Sequence, residues 1–142
     1  MVFNTKLKIV MEQYRTKQIK RALSKVSKIS EKRVAQEICG LMGKDGDYYV
    51  VQECENISKD PRQFFELDPL QFLLFKNEYK PIAIFHSHIC GNEEASDFDI
   101  QMSENSCIPF MIYSLNTKKI NLYIPEYSDA DEDSIQKIIQ KI

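Results

Sequence analysis

The spacing of apolar positions changes several times along this chain, and each change marks an expected element. Leu7, Ile9 and Met11 alternate with polar residues, which predicts an opening strand. Ile19, Leu23, Val26 and Ile29 then recur at helical spacing, with basic residues on the other face. That helix is expected to end near Ser30. The short, apolar, glycine-ended run from Glu37 to Gly43 predicts a buried strand headed by Glu37. Lys44 to Asp47 reads as a turn with Asp45-Gly46 as its hairpin signal, and Tyr48 to Glu53 returns as a strand. Residues 55 to 63 read as a loop. Asp68 followed by Pro69 starts a helix that runs to the region of Tyr79.

Pro81-Ile-Ala-Ile-Phe-His-Ser-His is the strongest strand signal. Its continuous apolar run predicts a central strand covered on both faces. Ser96 begins a short helix. Pro109 to Leu115 and Ile120 to Ile124 predict two more strands, turning at Asn116-Thr117. From Asp131 to the end, Ile135, Ile138, Ile139 and Ile142 form one helical stripe, expected to pack on the chain's own core. The predicted order is β-α-β-β-α-β-α-β-β-α. Interleaved helices and hairpins together predict an α/β fold of the mixed-sheet (α+β) kind, with helices on the sheet's faces.

Composition narrows this picture. The 142 residues suit a single domain over 1–142, with residues 126–142 as a C-terminal helical extension. A net charge of -2 supplies no field for nucleic acid, so no nucleic-acid partner is expected. Lys17, Lys20, Arg21, Lys25, Lys28, Lys32 and Arg33 make a basic run, and Glu126, Asp129, Asp131, Glu132 and Asp133 an acidic one. Each is expected to be a solvated face, with a basic docking surface the alternative for the first. The four cysteines form no C-x-x-C pair, and no apolar segment follows Lys6 and Lys8 as a secretion signal would require. Reduced thiols and a cytoplasmic location are therefore expected. No apolar run approaches the ~20 residues that span a bilayer, so no membrane association is expected.

The two histidines, His86 and His88, are two apart at the end of the apolar strand. Side chains two apart on a strand share a face, so both rings can reach one ion. Catalytic zinc usually takes three protein ligands and leaves a fourth position open. Asp99, in the first turn of the helix begun by Ser96, is the natural third. A base must then take a proton from water, and Glu37, a carboxylate heading an apolar strand, is the candidate. Ser96 is a candidate donor to the oxyanion of a tetrahedral intermediate. Each feature has a plain alternative. His-x-His pairs are common at strand ends, Ser96 with Asp99 makes a helix capping box, and Glu37 suits a surface junction. Their joint occurrence favours the site.

The string His86-Ser87-His88, seven residues, Ser96, two residues, Asp99 resembles the JAMM motif of the JAB/MPN-domain metalloproteases without a gap. Glu37 within Glu-Ile-Cys-Gly-Leu-Met resembles that family's catalytic glutamate and the Cys-Gly-Leu that often follows it. The resemblance runs from Lys6 to Pro125 and implies an MPN-like fold. It implies Zn2+ as cofactor, with His86, His88 and Asp99 as ligands, Glu37 activating water and Ser96 supporting the intermediate. It implies hydrolysis of an amide or isopeptide bond on a protein or peptide substrate, with ubiquitin-like proteins one such class. Ser87 takes the variable middle position, where its hydroxyl would help hold the loop. The chain departs from many prokaryotic members at Ile89, where they carry proline, followed here by Cys90, which could in principle replace Asp99 but is expected to be a bystander because thiolate ligands are more typical of structural zinc. Cys39 is expected to share a strand face with Glu37 and line the wall of the site.

Insertions that grip ubiquitin in eukaryotic relatives have no counterpart here, so the chain resembles the compact prokaryotic and phage form. Cys54 to Pro61, Phe65 to Pro69 and Ser106 to Ser114 resemble the JAB domain of phage tail-assembly proteins. The alternative function is a non-catalytic scaffold or assembly component, for example in a virion-associated phage tail, with a structural or vestigial zinc site.

Overall fold

The computed structural model describes residues 12–142, so the strand expected over Leu7 to Met11 lies outside the described residues. Strands are β1 (Gln13–Thr16), β2 (Cys39–Asp45), β3 (Tyr48–Cys54), β4 (Lys80–His88), β5 (Phe110–Ser114) and β6 (Ile120–Tyr123). Helices are α1 (Ile19–Glu31), α2 (Pro69–Glu78), α3 (Asp97–Ser106) and α4 (Glu132–Lys141). These elements make one mixed α/β domain. The six strands form a single sheet in the order β1-β3-β2-β4-β5-β6. Only β4 and β5 run parallel, joined through α3; the other pairs are antiparallel.

The strands alternate their side chains between two cores, as a two-sided sheet requires. Met42, Val51, Phe85 and Met111 pack under α1 and α4, whose Ala22, Leu23, Val26, Ile29 and Ile138 close that face. Leu41, Val50, Ile84 and Phe110 point the other way, against Phe75 of α2 and Phe65 of the preceding loop. β4 sits between β2 and β5 with Ile82 to Ser87 buried, so the expectation of a strand covered on both faces holds.

Local chemistry explains several boundaries. Asp68 caps α2, its carboxylate accepting from the Leu70 N–H at 2.9 Å with Pro69 in the first turn. The β2–β3 hairpin closes on Gly46 and Asp47, one residue later than the sequence signal, with Gly46 at φ +57°. Gly40 is obligatory for a different reason. A Cβ there would stand 2.3 Å from the Gln52 carbonyl and 2.2 Å from the Phe85 ring. Two expectations need correction. β2 begins at Cys39, so Glu37 lies in the connection before the strand rather than at its head. In α4, Ile135 and Ile138 are buried but Ile139 and Ile142 are exposed, so only half of the isoleucine stripe meets the core.

Candidate metal centre

β4 presents His86 and His88 on the face that packs Phe65 and Phe110. The His86 ring is fully buried, stacked on Phe65 with centroids 4.3 Å apart and edge-on to Phe110 at 5.6 Å. His88 sits nearer the strand end and is partly exposed. α3 then brings its first turn back over both rings. Ser96 caps the helix: its hydroxyl accepts from the Asp99 N–H at 3.1 Å, and Asp99 Oδ2 accepts from the Ser96 N–H at 3.0 Å. The capping box and the ligand triplet therefore coexist. Asp99 Oδ1 lies 2.9 Å from His86 Nε2, and Oδ2 lies 3.0 Å from His88 Nε2. One ligand atom from each of the three residues falls within 4.8 Å of the others, so the group could hold a metal ion.

Hydrogen bonding tests that fit. Both His86 ring nitrogens are buried without a hydrogen-bond partner. The Nε2–Oδ1 approach is short but lies off the line that a hydrogen bond needs. His88 Nδ1 stands 2.9 Å from the Asn92 carbonyl oxygen. A carbonyl only accepts, so Nδ1 carries a proton, and in a neutral ring Nε2 would then turn a lone pair toward Asp99. A lone pair facing a carboxylate at 3.0 Å needs a cation or a proton between them. The Asn92 contact is also the outer bond that metal-ligating histidines usually make. Two imidazoles and one carboxylate form a donor set suited to a metal ion with an open position. The same three residues can also pair as ions, with protonated rings beside the carboxylate.

Charge follows position. Burial pushes the Asp99 carboxyl up, but the His86 and His88 rings and the Ser96 N–H outweigh it and hold it well below the usual range. Burial lowers the pKa of His86 against the pull of Asp99. At His88 burial acts the same way but loses to the Asp99 and Asn92 bonds and to the charges of Asp99 and Glu37, so its pKa is raised. Glu37 is the outlier. Burial raises its carboxyl to about 8, with His88 pulling down and Asp99 pushing up.

The segment carrying Glu37 is pinned from two sides. The Glu37 N–H donates to the Pro61 carbonyl at 2.7 Å, and its own carbonyl accepts from Asn56 Nδ2 at 3.0 Å. The next residue is clipped to β4 between the two histidines. The Ile38 N–H donates to Ser87 Oγ at 2.8 Å, and the Ser87 N–H donates to the Ile38 carbonyl at 2.9 Å. Ser87 thus fastens the Glu37 segment rather than the loop after His88. A cleft of about 660 Å³ results, with Glu37, His88, Ser96 and Asp99 on its walls.

All five expected site residues meet here: His86, His88 and Asp99 as one group, with Glu37 and Ser96 beside it. Cys90 lines the cleft but stands outside the ligand group, as does Ile89. Cys39 does not line the wall. Its Sγ turns to the Cys54 and Glu55 carbonyls at 3.7 and 3.6 Å, and its thiol is pushed up by burial. Phe65, Asn92 and Asn56 escaped the sequence reading. All three act through loop conformation, which apolar spacing does not report.

A scan against protein-family models finds no match to this chain, and a search of curated proteins finds none either. Among solved structures, the chain is similar to the solution structure of protein DSY2949 from Desulfitobacterium hafniense. The two share 24% identity at a TM-score of 0.57, over 72% of this chain and 77% of the other. That likeness concerns the fold alone. Among the described residues no helix is long and apolar enough to cross a membrane.

Proposed function

We propose that the chain is a zinc-dependent peptidase or isopeptidase of the JAB/MPN type, cutting an amide bond in a protein tail in the cytoplasm. One observation carries the reading. The His86–His88–Asp99 group opens on the same cleft as a buried carboxyl, Glu37, whose pKa stands at about 8. A zinc ion held by the three ligands would polarise the scissile carbonyl and lower the pKa of a water to about 7.

The chain's own groups then divide the remaining work. A carboxyl raised by burial in the metal-free chain would be drawn back toward its ionised form by a nearby cation, which leaves it able to accept a proton and return it. Glu37 therefore takes the proton of the attacking water and delivers it to the leaving amine. Ser96 Oγ accepts from the Asp99 N–H, which leaves its own proton free to donate. Aimed at the developing oxyanion, such a donor is worth about 3 kcal/mol. Asp99, held ionised, keeps both imidazoles oriented. The MPN-like arrangement of β2, β4 and α3 is part of the same proposal, supported by the joined motif. The substrate class is a protein tail, ubiquitin-like or phage-derived.

A second reading has one observation in its favour. His86, His88 and Asp99 can satisfy one another as ions, as a structural cluster in a non-catalytic assembly component would. Elemental analysis of the wild type and of a His86→Ala/His88→Ala double variant separates the two. The peptidase reading expects one zinc per chain, lost in the double variant. No zinc in the wild type after reconstitution would leave the assembly reading standing.

A further inference from the structure

The metal cleft is not the only cavity on this face of the sheet. A second one, of about 800 Å³, opens between α3 and the loop before α2. Its floor is apolar: Phe65, Ile84 and Phe110. Phe98 and Met102 form one wall, four residues apart on α3 and so on one helical face. The two cavities share Phe64, Phe65 and Phe98 as common lining. Phe64 and Phe98 meet edge to face at 5.5 Å across this boundary, and Phe65 beneath them is the ring on which His86 stacks.

Scattered exposed apolar residues are ordinary on any surface. Here Phe64, Phe98 and Met102 are 42%, 37% and 41% exposed, and all three line one groove with an apolar floor. A concave surface lined by aromatic and apolar side chains is the form that ligand pockets take. Continuity with the cleft selects the occupant. A groove that ends on the ring stacked against His86 is reached by whatever lies across the His86–His88–Asp99 group.

We propose that this groove is a side-chain subsite for a bulky apolar residue of a polypeptide substrate, close to the bond being cut. The inference rests on the peptidase reading of the neighbouring group. The centroids of Phe65, on the floor of the groove, and His86 are 4.3 Å apart, so the groove begins beside the His86–His88–Asp99 group. The volume lies within the range of about 300–1,000 Å³ typical of ligand pockets. It accepts a phenylalanine or leucine side chain with backbone on either side. A small residue at that position of the substrate would leave it empty.

The test uses the full chain, metal-free and zinc-loaded, with acetylated peptide amides Ala-Ala-Xaa-Ala-Ala in which Xaa is Phe, Leu, Gly or Lys. Methyl NMR of Met102 and Ile84 reads the groove without any turnover. The Phe and Leu peptides are expected to shift both methyls and to bind at least about tenfold tighter than the Gly peptide. Met102→Glu, on an exposed wall position, is expected to erase that preference and leave zinc content unchanged. Equal binding of all four peptides by a zinc-bearing chain would overturn the subsite alone. Methyl shifts that follow protein concentration without peptide would assign the groove to a second copy and overturn it too. A wild type that takes up no zinc would remove the peptidase reading, and the subsite with it.

Discussion

Two buried carboxylates face one cleft from different parts of the chain, and their surroundings drive them apart. At the head of α3, Asp99 receives the Ser96 N–H and two imidazoles, and stays ionised. In the connection before β2, Glu37 is buried with its backbone fastened and its carboxyl raised to about 8. The first has partners that favour charge; the second has burial that opposes it. Environment rather than residue type separates their charge states, and under the peptidase reading it gives one carboxylate to holding the metal and the other to proton transfer.

Removing the holding carboxylate has the largest expected effect. Asp99→Ala takes away a ligand, whereas loss of an outer partner alone costs about 10–100-fold in metal affinity. A loss beyond about 100-fold is therefore expected in chelator-competition titrations, and turnover falls to background with it. Unchanged zinc affinity would remove Asp99 from the ligand set. Glu37→Gln sharpens the contrast, because it should keep the metal and lower turnover by about 10²–10⁴-fold. A variant that still turns over at the wild-type rate would assign proton transfer elsewhere.

pH separates the two carboxylates in the metal-free chain. A carboxyl that binds its proton more tightly folded than unfolded contributes stability below its ordinary pKa of 4.5. That contribution is lost as pH rises through the folded value of about 8. Relative to Glu37→Gln, the metal-free wild type should therefore lose thermal stability between pH 4.5 and 8. Parallel melting profiles for the two proteins would contradict the raised pKa. Ser87→Ala is expected to have the smallest effect. It leaves the buried Ile38 N–H without its 2.8 Å acceptor, at a cost of about 1–3 kcal/mol. Turnover should fall further than zinc affinity, since the clip holds Glu37 and not the ligands. Equal losses in both would mean that Ser87 supports β4 as a whole.

Much of the fold was legible because each element announces itself locally. The helical spacing of Ile19 to Ile29, the Asp68-Pro69 start and the apolar run into His86 all place their elements to within a residue or two. From the first helix onward the order α-β-β-α-β-α-β-β-α holds as well, whereas the first described strand, Gln13–Thr16, was not expected. The His86–His88–Asp99 group was legible for a similar reason. Two histidines on one strand face and an aspartate in a capped first turn are short-range patterns. Residues acting across the chain were not. Ser87 reaches Ile38, Phe65 reaches His86 and Asn56 reaches the Glu37 carbonyl only through the fold.

By itself, then, the sequence determined which elements present His86, His88, Ser96 and Asp99, because helix caps and strand alternation depend on neighbours a few positions away. Only the tertiary structure decided that Glu37 sits before its strand, that Cys39 turns away, and that an apolar groove runs up to the ring behind His86. Those outcomes depend on how β2, β4, α3 and the loop before α2 pack together. Burial, which raises one carboxyl, and the apolar floor of one groove exist only once they have.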